Sequence, residues 1–468
     1  MKILWLCNIM LPAIGEELGM PYSNREGWLS GIYGRICKEG KAAEVAEACK
    51  EGEGIAEAFK EDSDVAEAFK EGSGTTEREI ELGICFPVEE TQMGNDSPLG
   101  KEGKIRLKES GVLCYAFVEK LAAPELYDER MEVRFKEIIA DFKPDMVHIF
   151  GTEFPHTLAM VRAYGCPGRT LIGIQGLCFA CAEAYMADLP RKVIDRRTFR
   201  DWLKKDGILE QQEKFRIRGE REKEAIKGVL HITGRTDFDR EETKKVNGKA
   251  KYHFMNETMR TPFYSGGWKR ENSSPYRIFL SQGDYPLKGF HYVLEALPKI
   301  LAQYPEACIY VAGNSVIEDR TIKDKIKISS YGKYLLELIK SLHLEGHVKI
   351  LGRLTAEEMK EEFLKSSLFI CPSSLENSPN SMGEAMLLGV PVAAACTGGI
   401  PSMIEDGKEG LLYEAGNVEK LAECVLRAWG EPEETVRRAQ AARKRAMDVH
   451  NGDKNFKRLL EIYREICQ

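Results

Sequence analysis

Glu376 and Glu384 are two carboxylates eight residues apart in the segment PSSLENSPNSMGEAMLLGVPV, residues 372–392. Glu376 lies in a polar loop, and Glu384 lies one turn into a helix predicted to open after Pro379, which suits a first helical turn because it has no N–H to lose. Carboxylates placed in this way could accept hydrogen bonds from sugar hydroxyls. The N–H groups of Asn380 and Ser381, at the positive end of the helix dipole, could bind a phosphate.

Apolar strands are predicted on either side of this segment, at Phe369–Cys371 and Val390–Ala394. Such a strand–loop–helix–strand unit places its loop and the start of its helix at the carboxyl end of a parallel sheet, where open α/β sheets bind ligands. The alternative is an ordinary βαβ unit whose helix carries a solvated glutamate.

A lysine and a pair of glycines could complete such a site. Lys288 follows a predicted strand in the segment Gly283–Phe290, where its ammonium could lie against a diphosphate. Gly398 and Gly399 follow the strand Val390–Ala394 and would let the backbone approach a ligand closely. The plainer alternatives are a solvated lysine at a helix start and a simple turn.

The motif Pro-Ser-x-x-Glu-x7-Glu-Ala-Met-x-x-Gly-x-Pro-Val resembles the Glu-x7-Glu signature of the retaining family 4 glycosyltransferases (glycosyltransferase group 1), which have the GT-B fold. The resemblance implies an α/β protein with two Rossmann-like, doubly wound domains that face a cleft. We expect an N-terminal acceptor-binding domain over 1–265 and a C-terminal donor-binding domain over 266–453. The last helix, 454–468, is expected to cross back to the N-terminal domain.

The same resemblance assigns roles to the residues above. It implies that Glu376 holds hydroxyls of the donor sugar and that Glu384 holds the ribose hydroxyls. Lys288 matches a lysine that contacts the donor's diphosphate. Gly398 and Gly399 match a loop that contacts the donor sugar or its phosphate.

The chain departs from the family pattern at two positions. The family usually has an arginine five residues before the lysine, where this chain has Gly283, and Arg260, Arg277 or Arg353 could substitute for it. The family's glycine pair after the first strand is here the single Gly27, which either lets the backbone approach the donor or only starts a helix.

Two histidines lie near the predicted strand Asp145–Phe150. His148 lies within the strand and is expected to be buried and structural. His156 lies beyond its end, close to Glu153, where polar groups line such clefts. The resemblance favours His156 as a catalytic residue near the donor sugar and the acceptor, and its plainer alternative is a helix-start residue.

The composition excludes several classes of protein. A chain of 468 residues suits two or three domains, and a net charge of -7 gives no reason to expect nucleic-acid binding. The 13 cysteines are scattered without framework spacing, which indicates a reducing cytoplasm. No apolar run reaches the ~18 residues needed to span a bilayer, although peripheral contact with the inner face of a membrane remains open.

Several features outside these motifs are interpreted as non-catalytic. A ten-residue unit recurs over 45–74 and predicts an exposed insertion at 41–75. Asp62–Asp64 and Asp237–Asp239 resemble metal-binding DxD motifs, but neither follows a clear buried strand, so no metal and no cofactor are expected. The CxxC at Cys178–Cys181 has no second pair and is interpreted as ordinary buried residues.

The sequence therefore predicts a retaining, metal-independent hexosyltransferase. It would move a sugar from a nucleotide-diphosphate sugar, expected to be UDP-linked, to a glycan or glycolipid acceptor in surface polysaccharide synthesis. One alternative is a GT-B epimerase or phosphorylase that uses the same cleft. Another is a non-catalytic sugar-nucleotide sensor or scaffold, which differs from an enzyme in showing no turnover on any acceptor.

Overall fold

The computed structural model describes residues 1–22, 29–37, 80–314, 317 and 326–468. Gly27, the motif Asp62–Asp64 and the insertion predicted at 41–75 lie outside the described residues.

The first half of the chain contains a sheet of eight strands in the order β3-β4-β2-β1-β5-β6-β7-β8. The strands are β1 Lys2–Leu6, β2 Glu81–Val88, β3 Lys104–Arg106, β4 Leu113–Val118, β5 Met146–Phe150, β6 Thr170–Gly173, β7 His231–Gly234 and β8 Lys251–Phe254. Neighbouring strands are parallel except for β3 and β4. All of β5 is buried, as expected for a parallel strand covered by helices on both faces.

The second half contains a six-stranded sheet in the order β11-β10-β9-β12-β13-β14, in which every neighbouring pair is parallel. The strands are β9 Arg277–Leu280, β10 Cys308–Ala312, β11 Val348–Gly352, β12 Leu368–Cys371, β13 Val392–Cys396 and β14 Leu411–Glu414. The domain boundary predicted at 265/266 falls between β8 and β9. Each sheet is the centre of one Rossmann-like domain.

The α-helices cover the faces of the two sheets. Those of the N-terminal half are Pro12–Leu18, 29–37, Arg130–Phe142, Pro155–Tyr164, Cys178–Ala184, Arg191–Ile194, Phe199–Lys204, Ile208–Lys227 and Asp237–Val246. Those that follow are Phe290–Leu301, Ser330–Ser341, Ala356–Lys365, Asn380–Leu388, Ile400–Met403, Val418–Gly430, Pro432–Val449 and Gly452–Cys467. Within the described ranges, none of the helices is both long and apolar enough to cross a membrane.

The amphipathic helix Arg130–Phe142 shows why these segments fold as they do. It buries Met131, Phe135 and Phe142 along one face. It ends where Lys143 takes a left-handed conformation (φ 54°) before a proline, which disfavours a further helical turn.

The last helix, Gly452–Cys467, crosses back to the N-terminal domain as expected. It packs Leu459 and Tyr463 into the core of the first sheet. The Tyr463 hydroxyl accepts a hydrogen bond from Trp5 Nε1 of β1 at 2.9 Å and lies 2.7 Å from His148 Nδ1 of β5. The last helix therefore packs against the central strands of the N-terminal sheet.

The order of the second sheet creates a ligand crevice. β9 has β10 on one side and β12 on the other, so the connections that leave these strands diverge at their carboxyl ends. Open α/β sheets bind ligands at such a point.

Candidate active site

A cavity of about 370 Å³ opens at the carboxyl ends of β9 and β12. Five of the predicted site residues line it, namely Lys288, Glu376, Asn380, Ser381 and Glu384. The other lining residues are Gln175, Arg235, Met259, Arg260, Ser281, Gln282, Met359, Ile370, Cys371, Pro372, Ser373, Ser378 and Pro379. Gln175 and Arg235 come from the N-terminal domain, so the cavity lies between the two domains.

Lys288 and Glu376 form an ion pair within the cavity. Lys288 Nζ lies 2.6 Å from Glu376 Oε1, which also accepts a hydrogen bond from Ser373 Oγ at 2.7 Å. The side chains of the pair are 19% and 13% exposed. Burial alone would lower the pKa of the Lys288 ammonium, but the Glu376 carboxylate raises it well above its usual range. The lysine is therefore charged at neutral pH.

Gly289 lets Lys288 reach Glu376. It follows the 3-10 turn Pro286–Lys288 with a φ of 69°, in the left-handed region that favours glycine. A Cβ at this position would lie 2.0 Å from the carbonyl oxygen of Pro372, the residue that follows β12. The turn can therefore lie directly against the end of β12 only because residue 289 has no side chain.

Gly398 and Gly399 contact the loop that carries Glu376 and do not line the cavity. A Cβ at Gly398 would lie 2.0 Å from the carbonyl oxygen of Glu376, and one at Gly399 would lie 1.8 Å from that of Asn377. The Gly399 N–H donates to the Glu376 carbonyl oxygen at 2.9 Å. These glycines hold the Glu376 loop in place, and their direct contact with a donor stays a prediction.

Glu384 is bound on both carboxylate oxygens by one arginine. Arg260 donates from Nε to Oε1 at 2.6 Å and from a terminal nitrogen to Oε2 at 2.7 Å. Glu384 is 3% exposed, and burial raises its pKa while the Arg260 guanidinium opposes the rise. Contact between Glu384 and a ribose stays a prediction, because in this arrangement the arginine already engages both oxygens.

An ion pair between Arg235 and Glu257, which was not predicted from the sequence, lies beside the cavity. A terminal nitrogen of Arg235 lies 2.6 Å from Glu257 Oε2 and donates to Asn380 Oδ1 at 2.9 Å. Gln175 donates to the other oxygen of Glu257 at 2.6 Å, and burial raises the pKa of this carboxyl. The position of Arg235 directly after β7 was a signal that it could face the cleft. With Lys288–Glu376 and Arg260–Glu384, this makes three cation–carboxylate pairs whose cations line the cavity, although Glu257 itself does not line it.

Of the three arginines predicted as substitutes for the missing one, Arg260 lines this cavity and the other two do not. Arg277 pairs with Glu362 at the amino end of β9, away from the crevice. Arg353 donates to Asn314 Oδ1 at 2.7 Å. Arg260 is therefore the best-placed substitute.

The structure does not bring His156 to the cavity. It lies in the first turn of a helix, is fully buried, and has Glu119 Oε2 2.9 Å from Nδ1 and Asn8 Oδ1 3.0 Å from Nε2. A catalytic contact stays a prediction and would require one of these partners to be released. His148 is fully buried in β5, which confirms its structural interpretation, and burial lowers its pKa to about 3.

Among the described residues, the ligand atoms that could share a metal ion belong to His231, His253 and Glu465, within 4.8 Å of one another and outside the cavity. The Lys251 ammonium already pairs with Glu465 there. In the motif Asp237–Asp239, the buried second aspartate accepts a hydrogen bond from the Arg235 backbone at 3.1 Å. That aspartate stabilises the loop after β7.

Glu222 should make the stability of the N-terminal domain pH-dependent. It is 1% exposed, and burial raises its pKa to about 8. Because the unfolded value is about 4.3, the folded state binds the extra proton between these values, and stability is lost as pH rises through that window.

We expect Glu222→Gln to resist urea as wild type does near pH 4 and to be more resistant near pH 8.5. The glutamine fits because its oxygen can accept from the Phe179 N–H, as Glu222 Oε2 does at 3.1 Å, and its NH2 can donate to Thr152 Oγ1. Thr152 can then donate to the Gly176 carbonyl at 3.2 Å. Equal pH dependence in both proteins would contradict a neutral Glu222.

Comparisons with known proteins agree with this geometry. Residues 268–445 match the family described as glycosyl transferases group 1. Spore coat protein SA of Bacillus subtilis is 25% identical over 179 residues, which are 38% of this chain and 45% of that protein. Alpha-maltose-1-phosphate synthase of Mycobacterium tuberculosis is 32% identical over 124 residues, 25% of this chain and 32% of that protein. The chain thus matches less than half the length of these curated relatives.

The likeness to solved structures extends over the whole chain. The crystal structure of HepE from Anabaena in complex with UDP and glucose superposes with a TM-score of 0.59 at 13% identity, over 99% of this chain and 100% of that one. Together with the two facing α/β domains, this likeness identifies the fold as GT-B.

Proposed function

We propose that this protein transfers a sugar from a nucleotide-diphosphate sugar to a glycan or glycolipid acceptor, because residues 268–445 match the family of group 1 glycosyl transferases. The transfer retains the anomeric configuration and needs no divalent metal. One observation carries the proposal: Lys288, Glu376 and Glu384 meet the first turn of the helix Asn380–Leu388 in one cavity. The UDP in the HepE structure supports a UDP-linked donor.

The phosphate end of the donor lies at Lys288 and the helix start. As the diphosphate leaves, negative charge grows on its oxygens, and preorganised donors stabilise that charge. Lys288 Nζ and the N–H groups of Asn380 and Ser381 are such donors. Among the described residues, neither N–H has a backbone acceptor, and Pro379 before them has no N–H to contribute.

The carboxylates hold the sugar and the ribose. When a phosphate of the donor pairs with the Lys288 ammonium, Glu376 Oε1 loses its ion-pair partner. It can then accept hydrogen bonds from hydroxyl groups of the donor sugar. Glu384 accepts from the ribose hydroxyls. The departing phosphate takes the acceptor's proton, so no protein base is required, and closure of the two domains excludes water that would hydrolyse the donor.

The proposal is tested by calorimetric titration of the full chain with UDP, GDP and ADP in the absence of divalent metal. Micromolar binding of UDP, lost in Glu384→Ala, is the expected result. If none of the three nucleotides binds, the donor site assigned here is wrong.

Glu376→Gln should separate an enzyme from a sensor. The substitution keeps the shape of the side chain and removes its charge, so we expect UDP to bind as tightly as before or more tightly. Turnover should fall on the order of 100-fold, as when one stabilising group of a catalytic site is removed. Glu419→Gln removes an exposed glutamate that also pairs with a lysine, Lys299, and should change neither quantity.

Two outcomes of this comparison would contradict the proposed transfer. Unchanged turnover in Glu376→Gln would remove this residue from the mechanism. UDP binding by wild type without turnover on any acceptor would favour a sensor or scaffold.

A further inference from the structure

The short helix Phe199–Lys204 turns its large apolar side chains outward. Phe199 is 60% exposed, and Trp202 and Leu203 are each 65% exposed. Trp202 and Leu203 lie three and four residues after Phe199, which places them beside it on the helix surface, and the ring centroids of Phe199 and Trp202 are 6.0 Å apart. We call these three side chains the Trp202 patch. Among the residues that the structure describes, most large apolar side chains are buried, so an exposed cluster needs a reason.

The opposite face of the helix fixes this orientation. Asp201 is 1% exposed, and its carboxylate accepts hydrogen bonds from the backbone N–H groups of Thr198 at 3.2 Å and Ser330 at 2.8 Å. The Thr198 side chain accepts from the Asp201 N–H in return, which completes a capping box. Rotating the patch inward would break these bonds and bury charge. The hydrogen bonds of Asp201 thus fix the orientation of the helix, and the three apolar side chains face solvent.

The segment around the patch is strongly basic in an otherwise acidic protein. Residues 191–205 contain seven lysines and arginines and two aspartates, whereas the whole chain has a net charge of -7. Lys192, Lys204 and Lys205 are exposed and have no ion pair among the described residues. The four arginines of the segment each pair with a carboxylate, so the cations left free beside the patch in the described part of the chain are Lys204 and Lys205, which directly follow Leu203.

We propose that the Trp202 patch, with its surrounding lysines, docks this protein onto an anionic lipid bilayer. Aromatic and leucine side chains that enter the headgroup region beside lysines bound to anionic lipids are the pattern of interfacial helices. A second copy of the chain would bring two basic surfaces together, which opposes self-association. Three side chains also cover far less than the roughly 800 Å² per partner of a stable protein interface.

Docking at this helix would orient a second cavity toward the membrane. Arg200 and Lys204 of the same helix line a cavity between the domains together with Tyr285 and Arg353. Tyr285 directly precedes the turn that carries Lys288, so this cavity adjoins the donor site. This part of the inference rests on the proposed function, because it places a glycolipid acceptor at the lipid surface beside the donor.

The docking is tested by sedimenting the full chain with phosphatidylcholine vesicles, with or without phosphatidylglycerol, in the absence of any substrate. We expect binding to the anionic vesicles that weakens with added salt. The triple substitution Phe199→Ser, Trp202→Ser and Leu203→Ser should weaken binding roughly tenfold or more. The double substitution Lys192→Gln and Lys205→Gln should weaken binding to vesicles that contain phosphatidylglycerol. Binding to vesicles of phosphatidylcholine alone should be unchanged.

The matched control removes three exposed apolar side chains elsewhere. Leu126, Val133 and Phe254 are 53%, 59% and 52% exposed, and their replacement by serine should leave vesicle binding unchanged. Equal binding by wild type and the Trp202-patch triple variant, or no binding by wild type, would overturn the docking. So would self-association in the ultracentrifuge that the triple variant abolishes, since the patch would then serve a second copy.

Calorimetry with UDP keeps the two proposals separate. Loss of vesicle binding in a variant that still binds UDP concerns the docking surface alone. A wild type that binds anionic vesicles and no nucleotide would retain the docking surface and refute the proposed donor site.

Discussion

Lys288→Ala is expected to lower turnover on the order of 100- to 1,000-fold and to abolish measurable UDP binding. The ammonium pairs with Glu376 in the cavity, and in the proposed mechanism it binds the leaving phosphate together with the N–H groups of Asn380 and Ser381. The substitution also leaves the partly buried Glu376 carboxylate without its partner, which repels an incoming phosphate. Steady-state rates and calorimetry with UDP measure the two effects.

Lys299→Ala is the matched control for this experiment. Lys299 lies on the helix that follows Lys288 and also pairs with a glutamate, but its side chain is 41% exposed and Glu419 is 72% exposed. Exposed pairs of this kind contribute about 0–1 kcal/mol, so activity and stability should both stay near wild type. If Lys288→Ala kept wild-type UDP affinity, Lys288 would not contact the diphosphate.

Gly399→Ala is expected to lower the free energy of unfolding by about 1–3 kcal/mol and turnover on the order of 100-fold. The new methyl group would lie 1.8 Å from the Asn377 carbonyl oxygen and 2.6 Å from Thr236 Cγ2, so the loop that carries Glu376 must move. A shift of about 1 Å in a catalytic group is enough for such a loss of rate. Urea unfolding and turnover measure the two effects.

The control for the glycine is Gly430→Ala. Gly430 ends the helix Val418–Gly430, and a Cβ there meets nothing within 4 Å. This change should be neutral or slightly stabilising, because alanine has less conformational freedom to lose on folding. Equal behaviour of the two alanine variants would show that the Glu376 loop accommodates the methyl group without moving.

The part of the site built from one strand–loop–helix unit could be predicted from the sequence. Glu376, Asn380 and Glu384 follow β12 within a short stretch of chain, so local rules for strand ends and helix starts place them together. Lys288 was found in the same way, because it follows β9, the neighbour of β12. The strands predicted at Phe369–Cys371 and Val390–Ala394 correspond to β12 and β13, because both are short, continuous apolar runs.

The partners that neutralise these residues could not be predicted in this way. Arg260 and Glu384 are 124 residues apart, and which of several arginines reaches the cavity depends on how the two domains close. The glycine at position 283, where the family usually has an arginine, also depends on distant packing. A Cβ added there would lie 2.9 Å from a methyl group of Val311, so an arginine would have to displace core side chains. Packing of that kind is set by tertiary structure.

His156 and the first half of the chain show where local pattern is a weak guide. The position of His156 beyond β5 predicted a residue facing the cleft, but Glu119 and Asn8, both distant in sequence, hold its ring in the interior. β3 and β4 were not predicted, since they form an antiparallel edge within a long stretch that lacks the βα alternation. Pairing at a sheet edge depends on neighbours far along the chain.

The three cation–carboxylate pairs make the cavity nearly neutral, although three cations line it. Inorganic phosphate or sulfate could engage a cation only by leaving a buried carboxylate unpaired, which is costly. A nucleotide sugar avoids this cost, because its phosphates replace the carboxylates as partners of the cations and its hydroxyl groups replace the cations as partners of Glu376 and Glu384. The site would therefore discriminate against the abundant small anions of a cell by requiring phosphate and hydroxyl groups in the same molecule.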